Sequence, residues 1–259
     1  MFGLIFRNRF IYVATLLLVS AWGCGDNPTA PTTLPLNPDR DGDGFLDDVD
    51  ACPDQSASGP PSNGCPDAMV AFLEWVRMDV EFFWTETFGG DGMTYSPIST
   101  FQWYTTPIDT PCGPAGLRNA LYCSTDSAVH YDYNYLQEFH DVGDAASAFV
   151  VGHEIGHHVS YVLGWTSVLS FKQNELQADC FSGAWLRGAA DRGLLDEGDI
   201  DEMFGAADLV GNPKGTWFDP NVHGTLAQRK WAALIGLHGE AVACGRPAFI
   251  DALPVPLVM

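Results

Sequence analysis

Basic residues are scarce in this chain. Only 12 Lys and Arg stand against 33 Asp and Glu among 259 residues, and the formal net charge is -21. A surface of this sign repels phosphate groups, so the composition argues against a nucleic-acid partner. With 46% hydrophobic and 12% aromatic residues, the chain can still bury one large core, or one core and a small module.

A hydrophobic run long enough to span a membrane is missing near the N-terminus. The apolar stretch from Phe10 to Ser20 has eleven residues, follows Arg7 and Arg9, and is followed by small residues that lead to Cys24. This order predicts a signal peptide of the lipoprotein type over residues 1–23, with a lipid attached to Cys24 after cleavage. Ordinary secretion and a retained anchor are the alternatives, because the cleavage motif is imperfect.

The segment 24–38 is rich in Pro and Thr and has no apolar periodicity, which is typical of an extended tether. We therefore expect an exported protein whose lipid anchors it to a bacterial membrane, either the outer membrane or the cell surface. A periplasmic or secreted protein is the alternative.

The cysteine count agrees with export. Of seven cysteines, six remain when Cys24 is set aside, and six can form three disulfides in an oxidising compartment. Their proximity in sequence predicts bonds of Cys52 with Cys65 and of Cys112 with Cys123. By elimination, Cys180 would pair with Cys244. Other connectivities are possible, and free buried thiols are the alternative, above all for Cys180.

An acidic loop follows the tether, with seven Asp and one Arg between residues 39 and 54. Counted from the first Asp, every ligand position of a calcium-binding loop is filled, and Gly44 takes the sharp-turn position. The ligands would be Asp39, Asp41, Asp43, the backbone carbonyl of Phe45, Asp47 and Asp50. Because such crowding needs a neutralising cation, the loop predicts a Ca²⁺ site; a solvated acidic linker is the alternative. With the Cys52-Pro53 that follows, segment 39–66 resembles one thrombospondin type 3 repeat.

The most informative motif is His153-Glu154-Ile-Gly-His157, followed by Asn-Glu175-Leu-Gln-Ala-Asp179. Two histidines four residues apart on a helix can reach one metal ion. Glu154 is too close in sequence to the two histidines to bind the same metal ion comfortably, but it can take a proton from a water bound to that ion. Glu175 has the chemistry of a third ligand, and Asp179 can accept the free ring N–H of a zinc histidine.

The surroundings favour a metal site over a chance match. Residues 145–163 contain no charged side chain except Glu154, so this carboxylate lies on an otherwise apolar helix. Burying a carboxylate without a partner is costly, and a metal ion would compensate that cost. The pattern therefore predicts a Zn²⁺ site with one open coordination position.

Several further motifs make the chain similar to the bacterial neutral zinc metallopeptidases, which are relatives of the thermolysin-like gluzincins. They are Gly143-Asp144-Ala145, Cys180 with Gly183 and Trp185, the heptapeptide from His223 to Arg229, and, upstream, Tyr95-Ser-Pro97, Phe101, Cys112-Gly113, Tyr122-Cys123 and Tyr131-Asp132. The likeness runs from about Ala68 to Leu237. One departure is Ser124, where the family usually has proline.

The resemblance implies an α+β fold: a zincin-like domain over 67–245, with a small sheet and helices that carry the metal site, preceded by the calcium-binding loop module. A C-terminal tail would occupy 246–259. By the resemblance, the zinc ligands are His153, His157 and Glu175, and Glu154 is the general base.

The function expected from these residues is zinc-dependent hydrolysis of bonds within a peptide or protein substrate. Two alternatives stay open: a catalytically inactive, calcium-stabilised surface binding module, and a zinc hydrolase of non-peptide amides. The sequence indicates no oligomeric state.

His223 is the best remaining candidate for a catalytic accessory. A histidine that donates to the oxyanion would stabilise the tetrahedral intermediate. Bonding to backbone in its own loop is an equal alternative, and Arg229 is a weaker candidate for the same role. His158 points to another helix face than the two ligand histidines, which indicates a structural or surface position.

Local signals predict five helices and two strands. The helices are Ala68–Phe88 capped by Asp67, a metal helix from an Asp144 cap to a stop at Gly164, Ser170–Arg187, Ile200–Leu209, and Leu226–Leu237 behind a capping box at Thr225 and Gln228. The strands are Ile98–Thr106 and Ala128–Tyr133. The second strand is expected to offer its edge to an extended substrate.

Overall fold

The computed structural model describes residues 39–42, 46–56, 67–209, 223–239 and 241–245. These residues belong to one unit that begins at Asp39. The predicted signal peptide (1–23), tether (24–38) and tail (246–259) lie outside them, as do Cys24, Asp43, Phe45 and Cys65. In the part of the chain that is described, no helix combines the length and apolarity needed to cross a membrane.

The architecture is α+β, as predicted, with two small sheets beside a larger group of helices. The helices are α1 (Ala68–Gly90), α2 (Tyr133–His140), α3 (Asp144–Val162), α4 (Phe171–Asp191), α5 (Asp199–Leu209), α6 (Leu226–His238) and α7 (Ala241–Cys244). The strands are β1 (Thr100–Tyr104), β2 (Ile108–Thr110), β3 (Gly113–Ala115), β4 (Ala120–Cys123) and β5 (Ala128–Asp132).

The helix starts follow from local hydrogen bonds. The Asp67 side chain accepts from the backbone N–H of Val70 at 2.9 Å and caps α1. Ser170 and Thr225 each form a full capping box, with Gln173 and Gln228 respectively. All five predicted helices are confirmed, as α1, α3, α4, α5 and α6.

One predicted cap is wrong. Asp144 is the first residue of α3, and the capping position is taken by Gly143, which makes no side-chain cap. A β-carbon at residue 143 would meet the carboxylate of Glu202 on α5, which is the end of a flexible side chain and would have to move aside. Asp144 still favours the helix start, since a negative charge in the first turn complements the helix dipole.

The main sheet has the order β1-β5-β4, with β1 parallel and β4 antiparallel to β5. Strand β5 is buried at all its positions and lies between β1 and β4, so both its edges are already paired. The prediction that this strand offers a free edge is therefore wrong. Its antiparallel neighbour β4, which the sequence patterns did not reveal, takes the outer position instead. Strands β2 and β3 form a separate antiparallel pair.

Small residues bring the central helices close together. A β-carbon at Gly156 of α3 would lie 2.9 Å from the backbone oxygen of Ala178 on α4. Gly183 of α4 faces the backbone of Ala233 on α6, and Gly236 of α6 faces the backbone of Cys180. Since no side chain separates these backbones, residues on α3, α4 and α6 can meet directly.

Two predicted disulfides are confirmed. Cys112, after strand β2, is bonded to Cys123 at the end of β4, and Cys180 of α4 is bonded to Cys244 of α7. The alternative of a free Cys180 thiol is therefore wrong. Cys52 is also disulfide-bonded, while its predicted partner Cys65 lies outside the described residues.

Candidate metal centre

Helices α3 and α4 bring His153, His157 and Glu175 together. One potential ligand atom of each lies within 4.8 Å of the others. The Nε2 atom of His153 lies 3.3 Å from Glu175 Oε2, and Nε2 of His157 lies 3.4 Å from Glu175 Oε1. The two histidines are one turn apart on α3, and the close approach of α3 and α4 places the carboxylate opposite both.

The second ring nitrogen of His153 is held by Asp179, as the sequence predicts. His153 Nδ1 lies 2.8 Å from Asp179 Oδ1, and both side chains are fully buried. If Nδ1 carries the proton, Nε2 is left bare and directed at Glu175.

Arg229 of α6 completes this arrangement. Its Nε donates to Asp179 Oδ2 at 2.8 Å, and its Nη2 donates to Oδ1 at 2.7 Å. Burial raises the pKa of Asp179, but the charge and hydrogen bonds of Arg229 outweigh it and lower the pKa. This bidentate pairing points Arg229 at Asp179 rather than into the cavity, which favours His223 for the oxyanion role.

Asn174 contacts the second ring nitrogen of His157. The end of its amide that faces the histidine lies 3.2 Å from Nδ1. Both histidines therefore turn Nε2 toward Glu175 and hold a polar group at Nδ1. The sequence motif contains Asn174, but its spacing alone did not reveal this contact.

Charge in the cluster is arranged for a cation. Burial opposes a proton on His153, yet the neighbouring carboxylates of Asp179 and Glu175 raise its pKa to about 9. Burial would raise the pKa of Glu175, yet the charges of His157 and His153 lower it to about 2. Burial lowers the pKa of His157 to about 4. Two imidazole nitrogens and one carboxylate are the donors that catalytic zinc prefers, so the residues present fit a zinc ion.

Glu154 lies beside these ligands and is almost fully buried. Burial is the main cause that raises its pKa to about 7, while His153 and the backbone N–H of Tyr122 oppose the rise. Since Tyr122 belongs to β4, the predicted general base lies against the outer strand of the sheet. A carboxylate with a pKa near neutrality is suited to both taking up and returning a proton.

These groups line a cavity of about 520 Å³. Its walls come from β4 and its flanks, from α3, and from the start of α4, with His223 at one side. The lining residues are Cys112, Asn119, Ala120, Leu121, Tyr122, Ser124, His153, Glu154, His157, Tyr161, Thr166, Phe171, Asn174, Glu175 and His223.

His223 lies beside the group of close ligands and lines the cavity. Its Nε2 is 3.8 Å from Glu175 Oε2, and its ring meets Phe171 edge-on at 5.9 Å between centroids. Burial lowers the pKa of His223, although Glu175 partly offsets this, so the neutral imidazole is favoured at neutral pH. It does not belong to the group of three close ligands, which leaves it available for a different role.

His158 has a structural position, as the sequence indicates, but it is buried. Its Nε2 lies 2.6 Å from the carbonyl oxygen of Ser96, and its Nδ1 lies 2.9 Å from the hydroxyl of Tyr122. A neutral imidazole satisfies both by donating from Nε2 and accepting at Nδ1. The ring thus ties α3 to β4 beside the cavity.

The predicted calcium loop is described only in part, since Asp43 and Phe45 lie outside the described residues. Arg40 pairs with Asp47 at 3.1 Å and with Asp54 at 2.7 Å. The Oδ1 atoms of Asp39 and Asp50 accept backbone N–H groups of Gly42 and Cys52. Within the described part of the loop, no three ligands lie close enough together to share an ion.

The described residues hold one other close group of carboxylates, formed by Asp144, Asp199 and Glu202. It lies at the contact between α3 and α5 and offers no imidazole nitrogen. The sequence patterns did not indicate this group.

Comparison with known proteins agrees with the geometry. The model of the family described as Putative neutral zinc metallopeptidase matches residues 46–245. The uncharacterized protein YpfJ of Escherichia coli K12 is 30% identical over 189 residues, which cover 63% of this chain and 66% of the relative. The uncharacterized protein Rv2575 of Mycobacterium tuberculosis is 31% identical over 175 residues, covering 53% of this chain and 58% of the relative. The chain thus spans less than two thirds of either relative, and no solved structure matches it.

Proposed function

Because the family model covers residues 46–245, the chain belongs to the neutral zinc metallopeptidase family, and we propose that it cleaves bonds within peptide or protein chains. The observation that carries this proposal is the convergence of His153, His157 and Glu175 at a cavity that Glu154 also lines. These three residues would hold the zinc ion. When bound, zinc would lower the pKa of a water toward ~7 and polarise the scissile carbonyl.

The residues around the metal position would then have separate roles in catalysis and in ligand orientation. Glu154 takes the proton of the attacking water and returns it to the leaving amine. His223 donates a hydrogen bond to the developing oxyanion. The pair Asp179 and Arg229 orients the His153 ring, so that its Nε2 faces the metal position.

The outer strand β4 gives the substrate a place to bind. Ala120, Leu121 and Tyr122 line the cavity, and among the described strands β4 pairs only with β5. An extended peptide can add to the other side through backbone hydrogen bonds, which recognise peptide geometry with little dependence on sequence. This arrangement favours a peptide substrate over small amides.

The test is zinc quantification together with cleavage of an unstructured protein. We expect about one zinc per chain, and fragmentation that a chelator abolishes and added zinc restores. Glu154→Gln should retain zinc while turnover falls about a thousandfold, because the proton acceptor is lost. Cleavage by Glu154→Gln at the wild-type rate would refute the assignment of Glu154.

The same assay, repeated with small amides as substrates, separates the alternatives. A protein that binds zinc but cleaves neither proteins nor small amides would be an inactive binding module. A protein that hydrolyses only small amides would belong to the other alternative class.

We also propose that the acidic loop binds Ca²⁺. One carboxylate oxygen of Asp50, Oδ2, is buried and has no hydrogen-bond partner among the described residues, which a cation would remedy. Calcium titration by calorimetry tests this, with an expected Kd in the range ~10⁻⁴ to 10⁻³ M, because Asp50 stands where stronger loops have a bidentate Glu. Asp50→Asn should abolish the heat of binding.

Export and anchoring through a lipid on Cys24 are likewise proposals, supported by the order of residues 1–38. Mass analysis of the mature N-terminus tests them. A chain that begins at Cys24 and carries acyl chains is the expected result, and an unmodified mature chain would point to secretion instead.

A further inference from the structure

A chain of polar side chains connects His157 with helix α7. Asn174, which contacts the His157 ring, lies with the other end of its amide 2.9 Å from Ser160 Oγ. Ser160 Oγ also lies 2.7 Å from Gln177 Oε1, and Gln177 Nε2 donates to the carbonyl oxygen of Cys244 at 3.0 Å. Ser160, Gln177 and Cys244 are fully buried, so solvent does not replace the bonds among these three residues, whereas Asn174 is half-buried and lines the cavity.

Helices α3 and α4 each contribute two of these polar residues, at matching spacing. His157 and Ser160 lie three residues apart on α3, and Asn174 and Gln177 lie three residues apart on α4. Residues with this spacing share a helix face, so the two pairs meet across the α3–α4 contact. Cys244 is fixed at the far end by its disulfide to Cys180, also on α4.

Counting protons fixes the direction of every bond. A serine hydroxyl donates one hydrogen bond, so Ser160 cannot donate to both amides. Gln177 must keep its nitrogen toward Cys244, since a backbone carbonyl only accepts, and its oxygen therefore receives the Ser160 proton. The oxygen and nitrogen of an amide occupy equivalent positions, and hydrogen bonding decides which is which. The structure places the Asn174 oxygen toward Ser160 and its nitrogen toward His157 Nδ1. The proton count turns this amide over, so that its nitrogen donates to Ser160 and its oxygen faces His157.

We propose that Ser160 and Gln177 are positioning residues for the metal centre. They act through Asn174, whose oxygen accepts the Nδ1 proton of His157 and leaves Nε2 bare toward Glu175. Without Ser160, the Asn174 amide can rotate, and its nitrogen can then stabilise the opposite tautomer, which has its proton on the metal-facing atom. The inference rests on the proposed zinc function only in naming what the bare nitrogen binds.

Ser160→Ala tests the proposal, and Ser182→Ala is the matched control. Ser182 is also fully buried on a central helix. Its hydroxyl, however, donates to the backbone oxygen of Phe149 at 3.0 Å and is not one of the linked polar groups between His157 and Cys244. Two quantities are measured on the full chain. One is the tautomer of His157 in the zinc-free protein at neutral pH, from nitrogen–proton correlation spectra assigned with His157→Gln. The other is the zinc Kd, from competition with a chelator.

The wild type and Ser182→Ala should show the proton on Nδ1. Ser160→Ala should show a mixture of tautomers and a zinc Kd about tenfold weaker, in line with the usual cost of losing a group that orients a ligand. An unchanged tautomer in Ser160→Ala, or equal losses in the two serine variants, would overturn the proposal. If the wild type bound no zinc but Ser160→Ala still shifted the tautomer, the positioning role would hold and the metallopeptidase function would fail.

Discussion

At the scale of single residues, the centre separates the groups that hold the metal from those that act on the substrate. Asp179 and Asn174 contact the ligand rings and Arg229 holds Asp179, whereas Glu154 and His223 line the cavity. Replacing a member of the first group should change metal affinity. Replacing a member of the second should change turnover at full metal occupancy.

His223→Ala should lower kcat by about a hundredfold, because one donor to the oxyanion is lost. KM and zinc content should change little, since the hydrogen bond is made in the transition state. Steady-state kinetics with zinc analysis checks this. His238→Ala is the control, because this exposed histidine is the last residue of α6, and it should leave kcat unchanged. A rise in KM alone would show that His223 binds substrate and does not stabilise the oxyanion.

Zinc affinity should depend on pH through His153. The raised pKa of about 9 means that the metal-free site holds a proton there, and the metal must displace it. We expect affinity to rise by about tenfold per pH unit between pH ~7.5 and ~9 and then to level off. In the metal-free protein, the same charge stabilises the fold fully below about pH 6.5, and this contribution is lost as pH rises through about 9. Chelator competition over this pH range is the measurement, and a flat profile would contradict it.

At the scale of elements, the metal centre depends on the distance between α3 and α4. Gly156 sets that distance, because a β-carbon there would press on the Ala178 backbone, which cannot yield as a flexible side chain would. The ligands lie on the two helices, so separating the helices also separates the ligands.

Gly156→Ala should therefore destabilise the protein by about 1–3 kcal/mol and weaken zinc binding together. Urea unfolding and chelator competition provide the two values. Gly89→Ala is the matched control: Gly89 is also helical, with nothing within 4 Å of its β-position, and the change should be neutral or slightly stabilising. If both variants behaved alike, the close contact would not explain the ligand geometry.

Local signals predicted the elements that begin with their own caps. The capping boxes at Ser170 and Thr225 define the starts of α4 and α6 by contacts between residues three positions apart, so these starts can be predicted from the sequence alone. The sequence patterns did not predict strand β4, because it is only four residues long and its extended conformation depends on pairing with β5. Helix α2 starts directly at the end of β5, where Tyr133 reads as a continuation of the strand. The ligand set was predictable from spacing, but the contact of Arg229 with Asp179 depends on how α6 packs against α4.

At the scale of the whole molecule, disulfides connect distant parts of the chain. The Cys180–Cys244 bond spans 64 residues and the Cys112–Cys123 bond spans 11. Loop-closure entropy then gives stabilisations of about 4 and about 3 kcal/mol respectively.

Replacing Cys180 and Cys244 by Ser should therefore lower the free energy of unfolding more than replacing Cys112 and Cys123 by Ser. Urea unfolding of the two double variants under oxidising conditions measures the difference. The first variant should also bind zinc more weakly, because α7 anchors the Gln177 end of the polar chain. The opposite order of stability would show that strain or residual structure outweighs loop length.

A single carboxylate, that of Asp179 on α4, is shared by a histidine of α3 and an arginine of α6. In a genetic screen, mutations that abolish zinc binding should therefore fall at more positions than those of the three ligands. A substitution on α6 that removes no ligand and touches no substrate can produce a metal-deficient chain. Suppressors of such a substitution should arise on the other two helices.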